Sequence, residues 1–231
     1  MLIDYMNSPK FVWACYLMVL ISCGQPETHQ PAIMDTGSVK VNAKSGQMLK
    51  KNIVFFGNSI TAGYGLEPSE SFPAQIQSRL DSLHLPYQVV NAGVSGETSA
   101  DGVSRIDWIL QQPVFIFVLE LGGNDGLRGI PPDESKKNLD TIIVRVRRKY
   151  PDAKIIVAGM KMPPSMGQQY TQQFQNIFSA LARKNNALLL PFLLEGVGGI
   201  DSLNQKDGIH PTATGARIVA ENVWSLLKPL L

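Results

Sequence analysis

The chain has 231 residues, 44% of them hydrophobic and 17% charged, with a formal net charge of +2. That length suits one good-sized domain, and the composition supplies a substantial core and excludes a disordered chain. The basic residues are scattered, which gives no nucleic-acid-binding face. The one dense group, Arg145, Arg147, Arg148 and Lys149, falls at the end of a predicted helix, where cations suit the negative end of the dipole.

Both cysteines, Cys15 and Cys23, lie near the N-terminus. Residues 11 to 22 form an apolar run after Lys10, short for a membrane span and the right length for the core of a secretory signal. The run ends in Leu20-Ile21-Ser22-Cys23-Gly24, which resembles a bacterial lipobox. That likeness implies a signal peptide over 1–22, acylation of Cys23 and a membrane partner reached through the lipid. An uncleaved anchor or a plain signal peptide, the latter leaving a secreted protein, is the alternative. Asp4 offsets Lys10, and a start at Met6 would give a cleaner charge pattern than Met1. Residues 23–46 read as a tether, rich in polar residues, Pro and Gly with no period, and residues 47–231 as the folded domain.

Regular patterning begins near Met48. A buried strand over about 51–57 runs into Gly57-Asn58-Ser59, and a helix over about 69–83 carries Phe72, Ile76, Leu80 and Leu83 at helical spacing. Tyr87 to Gly93 is a second strand, and a helix over about 99–111 carries Val103, Ile106, Trp108 and Ile109. Val114 to Leu121, the most apolar stretch after the N-terminal segment, predicts a central strand ending in Gly122-Gly123-Asn124-Asp125. A helix follows Pro131-Pro132 to Lys149, with Asp133 and Glu134 in its first turn, then a strand from Lys154 to Gly159. A helix at about 168–185, a strand from Ala187 to Leu194 and a last helix at about 212–228 complete the pattern. Strands alternating with helices predict an α/β three-layer αβα sandwich on a five-stranded parallel sheet. Right-handed crossovers and the buried third strand favour the flavodoxin-like order 2-1-3-4-5, which sets the loops after Gly57 and Gly122 side by side.

Ser59 by itself reads equally as a polar cap in a strand-to-helix turn. A serine nucleophile needs a base, an orienting acid and donors for the oxyanion. Of the three histidines, His29 lies in the tether and His84 at the amino edge of the sheet, which leaves His210. Asp207, three residues earlier, can present its carboxylate beside that imidazole. Gly93 and Asn124 each follow the carboxyl end of a strand, where with the Ser59 N–H they would make a three-donor oxyanion hole. Each is also an ordinary turn residue when taken separately.

Taken together, four blocks resemble the SGNH, or GDSL-type, hydrolases: Phe56-Gly57-Asn58-Ser59-Ile60-Thr61-Ala62-Gly63, Val90-Asn91-Ala92-Gly93, Glu120-Leu121-Gly122-Gly123-Asn124-Asp125 and Asp207-Gly208-Ile209-His210-Pro211. The likeness covers nearly all of 50–230 and is closest to the bacterial thioesterase/lysophospholipase/arylesterase branch. It implies a serine hydrolase acting on lysophospholipid, acyl or aryl esters, with Ser59, Asp207 and His210 as triad and Ser59, Gly93 and Asn124 as oxyanion hole. It also places an acyl pocket at the loops 125–132 and 160–167, with Leu127, Ile130, Met162 and Pro163 lining it and Met160 and Met166 suited to an aliphatic chain. No metal or other cofactor is implied, no nucleic-acid partner, and a monomer. The chain departs from the family in having Asn58 where an aspartate usually precedes the serine. A carbohydrate deacetylase or acyltransferase on the same scaffold, and a catalytically silent binding protein, are the competing readings.

Overall fold

Ile53, Val54, Phe55 and Phe56 are wholly buried, which is why β1 (Lys51–Gly57) can only be an interior strand. The computed structural model describes residues 50–231, part of one compact unit. The expected signal peptide, Cys23 and tether lie outside the described residues. β1 pairs in parallel with β2 (Tyr87–Gly93) on one side and β3 (Ile116–Glu120) on the other, with Gly57 opposite Gly93 and opposite Glu120. β4 (Lys154–Ala158) and β5 (Leu188–Leu190) extend the sheet beyond β3, so the order is 2-1-3-4-5. The reversal of strand order between β1 and β3 opens the crevice where α/β sheets bind ligands.

The helices fall into two groups that pack among themselves. α3 (Ser99–Ile109), α5 (Pro132–Lys149) and α6 (Gln168–Lys184) form one, α2 (Phe72–Ser82) and α7 (Ala213–Leu227) the other. Their buried positions recur at three- and four-residue spacing, as in Leu139, Ile142, Ile143 and Val146 of α5. Arg145 and Arg147 near its end bond Asp107 and the carbonyls of Val103, Pro151 and Ala153, a structural use of the basic cluster.

Several expectations are corrected in detail. Trp108 and Leu83, expected among the apolar faces, are exposed, because α3 buries Gly102, Ile106 and Ile109 and α2 buries Phe72, Ile76 and Leu80. The strand expected over 187–194 ends at Leu190, since Pro191 has no N–H for the ladder. The first helix begins at Phe72 behind a Ser71 cap, and a separate 3₁₀ turn covers Pro68–Glu70. Two short helices, α1 (Ser59–Ala62) and α4 (Gly123–Leu127), occupy what reads as loop. Both are too short to show a hydrophobic period.

Candidate active site

β1 delivers its chain to the crevice at Gly57, and the turn that follows is built around Asn58. Asn58 caps α1 by accepting the Ile60 N–H at 3.0 Å, and Gly63, with φ of 80°, closes that helix. Close packing dictates the residue types. A Cβ on Gly57 would overlap Thr61 Oγ1, and one on Gly93 would overlap the backbone nitrogen of Ala62. Ser59 is thus the first residue of a short helix wedged between the ends of β1 and β2.

His210 reaches this serine from a separate loop. Its Nε2 lies 2.8 Å from Ser59 Oγ and its Nδ1 2.7 Å from Asp207 Oδ2. With Nδ1–H donating to the carboxylate, Nε2 carries the lone pair that accepts the serine O–H. Asp207 Oδ1 accepts the N–H groups of Ile209 at 2.9 Å and His210 at 3.0 Å, so one short turn fixes acid and imidazole together. The His210 N–H first, then the imidazole bond and the Ile209 N–H, hold the Asp207 carboxyl down at about 2. The loop is tied back by Gln205, whose N–H donates to the His210 carbonyl and whose amide donates to the carbonyls of Tyr64 and Pro211. The Tyr64 ring lies over the imidazole, centroid to centroid 4.7 Å. His84 is at the far end of α2 in a left-handed turn, away from the serine as the strand order requires.

Gly93 packs against Thr61 and Ala62 and Asn124 follows Gly123 beside Asn58, but the three expected oxyanion donors are not equally free. Asn124, in the first turn of α4, donates through Nδ2 to the Glu97 carbonyl at 2.8 Å, leaving its second amide hydrogen available. No acceptor for the Ser59 N–H is found among the described residues. The Gly93 N–H is already engaged by Asn91 Oδ1 at 3.0 Å, which the sequence pattern does not reveal.

Beneath the turn lies a residue that sequence reasoning missed. Glu120, the last residue of β3, is 1% exposed and accepts at Oε2 from the Asn58 N–H, the Thr61 N–H and the Thr61 hydroxyl at 3.1, 3.3 and 2.7 Å. Its Oε1 is buried with no partner among the described residues. Burial pushes its carboxyl up to about 7, against the opposing pull of the Thr61 and Asn58 bonds. The available signal was a lone acid at the end of the most apolar strand, followed by Leu121 and then Gly122-Gly123.

The expected acyl pocket is not an enclosed cavity. The small cavity against Ser59, about 10 Å³, is lined by Ile60, Tyr64, Leu66, Phe72 and His210 among others, and by none of Leu127, Ile130, Met162 or Pro163. Met162 packs on Gly126, Leu127 and Pro163 are exposed, and Ile130 is half-buried. Tyr170 pins the segment by donating to the carbonyls of Gly126 and Ile130. Met160 is buried in the core, so it is not a lining residue. Among the described residues no group of three or more His, Cys, Asp or Glu is placed to hold a metal ion.

Similar proteins give this geometry its context. The GDSL-like Lipase/Acylhydrolase family matches residues 55–218. Esterase TesA of Pseudomonas aeruginosa is 38% identical over 202 residues, 87% of this chain and 99% of that protein. Thioesterase 1/protease 1/lysophospholipase L1 of Escherichia coli K12 is 34% identical over 181 residues, 78% of this chain and 84% of that one. A crystal structure of TesA superposes with a TM-score of 0.75 at 40% identity, covering 78% of this chain and 100% of the other. Four sequence blocks, the sheet order and these relatives agree: the chain belongs to the GDSL-like lipase/acylhydrolase family and is a carboxylic ester hydrolase.

Proposed function

We propose that Ser59 is the nucleophile of a ping-pong acyl-enzyme mechanism acting on acyl esters, thioesters, aryl esters and lysophospholipids. The observation that carries this reading is the unbroken line Ser59 Oγ, His210 Nε2, His210 Nδ1, Asp207 Oδ2, with contacts of 2.8 and 2.7 Å. Ser59 attacks the carbonyl as His210 takes its proton. His210 then protonates the leaving group and activates water for deacylation, while Asp207 holds the tautomer. The Ser59 N–H and the free Asn124 amide hydrogen receive the oxyanion, and Gly93 joins by sharing its bond to Asn91. Asn58 serves as a cap to the turn, a task that asparagine and aspartate perform alike.

α4 begins against the nucleophile turn, since a Cβ at Gly123 would sit 3.5 Å from Asn58 Nδ2. Leu127, Ile130, Met162 and Pro163 therefore offer an open apolar margin for the acyl chain in place of a closed tunnel. The segment 11–24 supports a cell-envelope enzyme held on a membrane by a lipid on Cys23. No helix among the described residues is long and apolar enough to cross a membrane. The names of the relatives favour ester hydrolysis over the acyltransferase reading.

The test is hydrolysis of p-nitrophenyl acetate through dodecanoate by the wild type and Ser59→Ala. Activity should fall by about 10⁴–10⁶-fold with the melting temperature retained. Full activity in Ser59→Ala would overturn the mechanism. A fluorophosphonate should label the wild type at Ser59, which a silent binding protein would not permit.

A further inference from the structure

Arg105 lies on α3, outside the four blocks, yet it touches the ends of both strands that flank the candidate nucleophile. Its Nη2 donates to the carbonyl of Gly57 at 3.2 Å and to that of Ala92 at 2.9 Å. Its Nε is 2.6 and 2.7 Å from the two carboxylate oxygens of Glu97, and its guanidinium lies 4.0 Å from the centroid of the Phe56 ring. Both partners of this ion pair are largely covered, with side chains 19% and 12% exposed.

Two of these contacts bear on the oxyanion donors. The Ala92 carbonyl and the Gly93 N–H belong to one planar peptide, so fixing the direction of the carbonyl fixes the opposite direction of the N–H. The Glu97 main-chain carbonyl is the acceptor that orients the Asn124 amide. Holding the Glu97 side chain holds the loop that carries this carbonyl. A lysine carries its three donors on one nitrogen and cannot reproduce the planar spread by which Nε serves the carboxylate and Nη2 the two carbonyls.

We propose that Arg105 is the positioning residue of the oxyanion hole, aiming the Gly93 N–H through the Ala92 carbonyl and the Asn124 amide through Glu97. The proposal rests on the oxyanion assignment given above. Arg105 has no contact with the reacting atoms and acts only through these groups. A hole with two misaimed donors loses transition-state stabilisation with little change in ground-state binding, so the effect belongs in kcat.

The experiment is a double-mutant cycle on the full chain with p-nitrophenyl butyrate, using Arg105→Lys, Asn124→Ala and the double variant, with thermal melting of each. Arg105→Lys should lower kcat by about 10–100-fold with KM within about twofold, and Asn124→Ala by about 10²–10³-fold. In the Asn124→Ala background the Arg105→Lys loss should shrink several-fold, since part of the path it acts through is gone. An undiminished loss in that background, or a loss confined to KM, would assign Arg105 a purely structural ion pair and overturn the proposal. Full activity in Asn124→Ala would instead strike at the oxyanion assignment itself, and the proposal with it. Glu97→Gln keeps its backbone carbonyl and weakens only the clamp. It provides the same reading if Arg105→Lys fails to fold, with kcat falling and KM unchanged as the supporting result and unchanged kcat as the contrary one.

Discussion

Asn58 and Glu120 show how one residue type constrains another across the sheet. An aspartate at 58 would place a second carboxyl beside a buried one, whereas the Asn58 amide and N–H both favour the Glu120 carboxylate. The Glu120 carboxyl is nonetheless pushed up from 4.5 to about 7 by burial, so the unfolded chain releases this proton at lower pH than the folded one. Stability from this residue is therefore full below about 4.5 and is lost as pH rises towards about 7. Glu120→Gln keeps an acceptor for Asn58 and Thr61 and cannot ionise. Its melting temperature relative to wild type should rise between pH 5 and pH 8; a constant difference would show that Glu120 does not titrate in this window. Asp207 has the opposite sign. Its pKa falls from 3.8 to about 2 on folding, so its contribution is present above about 3.8 and is lost as pH falls through about 2. Across the neutral range it stays ionised and keeps its bond to His210.

At the scale of elements, the site depends on α1 being pressed against the end of β2. The contact has no slack, since a Cβ at Gly93 would overlap backbone atoms of Thr61 and Ala62, which cannot rotate away as a side chain could. Gly93→Ala should destabilise the fold by about 1–3 kcal/mol or more, as overpacking does. It should also displace Ser59 relative to His210 and lose activity beyond the fraction unfolded. Urea denaturation combined with kcat at low urea measures both, and wild-type values in both would refute the close approach. The Asn91 side chain reinforces the same junction by donating to the Thr61 carbonyl at 2.9 Å while accepting the Gly93 N–H. The β2 end and α1 are therefore tied together by one side chain.

For the whole molecule, the sheet and both helical groups lie within residues 50–231, and the proposed lipid anchor at Cys23 is a matter of location. The wild type expressed in a bacterial envelope should carry a diacylglyceryl group on Cys23 and partition with membranes, and Cys23→Ser should lose both. An unchanged mass and membrane fraction for Cys23→Ser would refute lipidation. Esterase activity per mole of folded protein should be the same for the two forms.

The strand-helix alternation and the order 2-1-3-4-5 were legible in the chain because they rest on local patterns, whereas Ser59, Gly93, Asn124 and His210 were named together only through four blocks that resemble a known family. Buried strands show as apolar runs, crossovers have one hand, and turn residues cluster at the carboxyl ends of parallel strands. Glu120, Arg105 and the Asn91 bond to Gly93 were not legible. Each is one polar residue whose meaning comes from partners 62, 48 and 2 positions away, and the nearest of these depends on a side-chain direction that sequence does not encode. The open form of the acyl margin was not legible for a related reason: apolar residues in two loops do not say whether the loops enclose a space. The sequence by itself determined which groups could perform the chemistry and on which edge of the sheet they lie. Tertiary structure decided which donors are free, what holds them in direction, and which buried acid supports the Ser59 turn, because those properties depend on side-chain directions and on contacts that, apart from the Asn91 bond to Gly93, join segments remote in the chain.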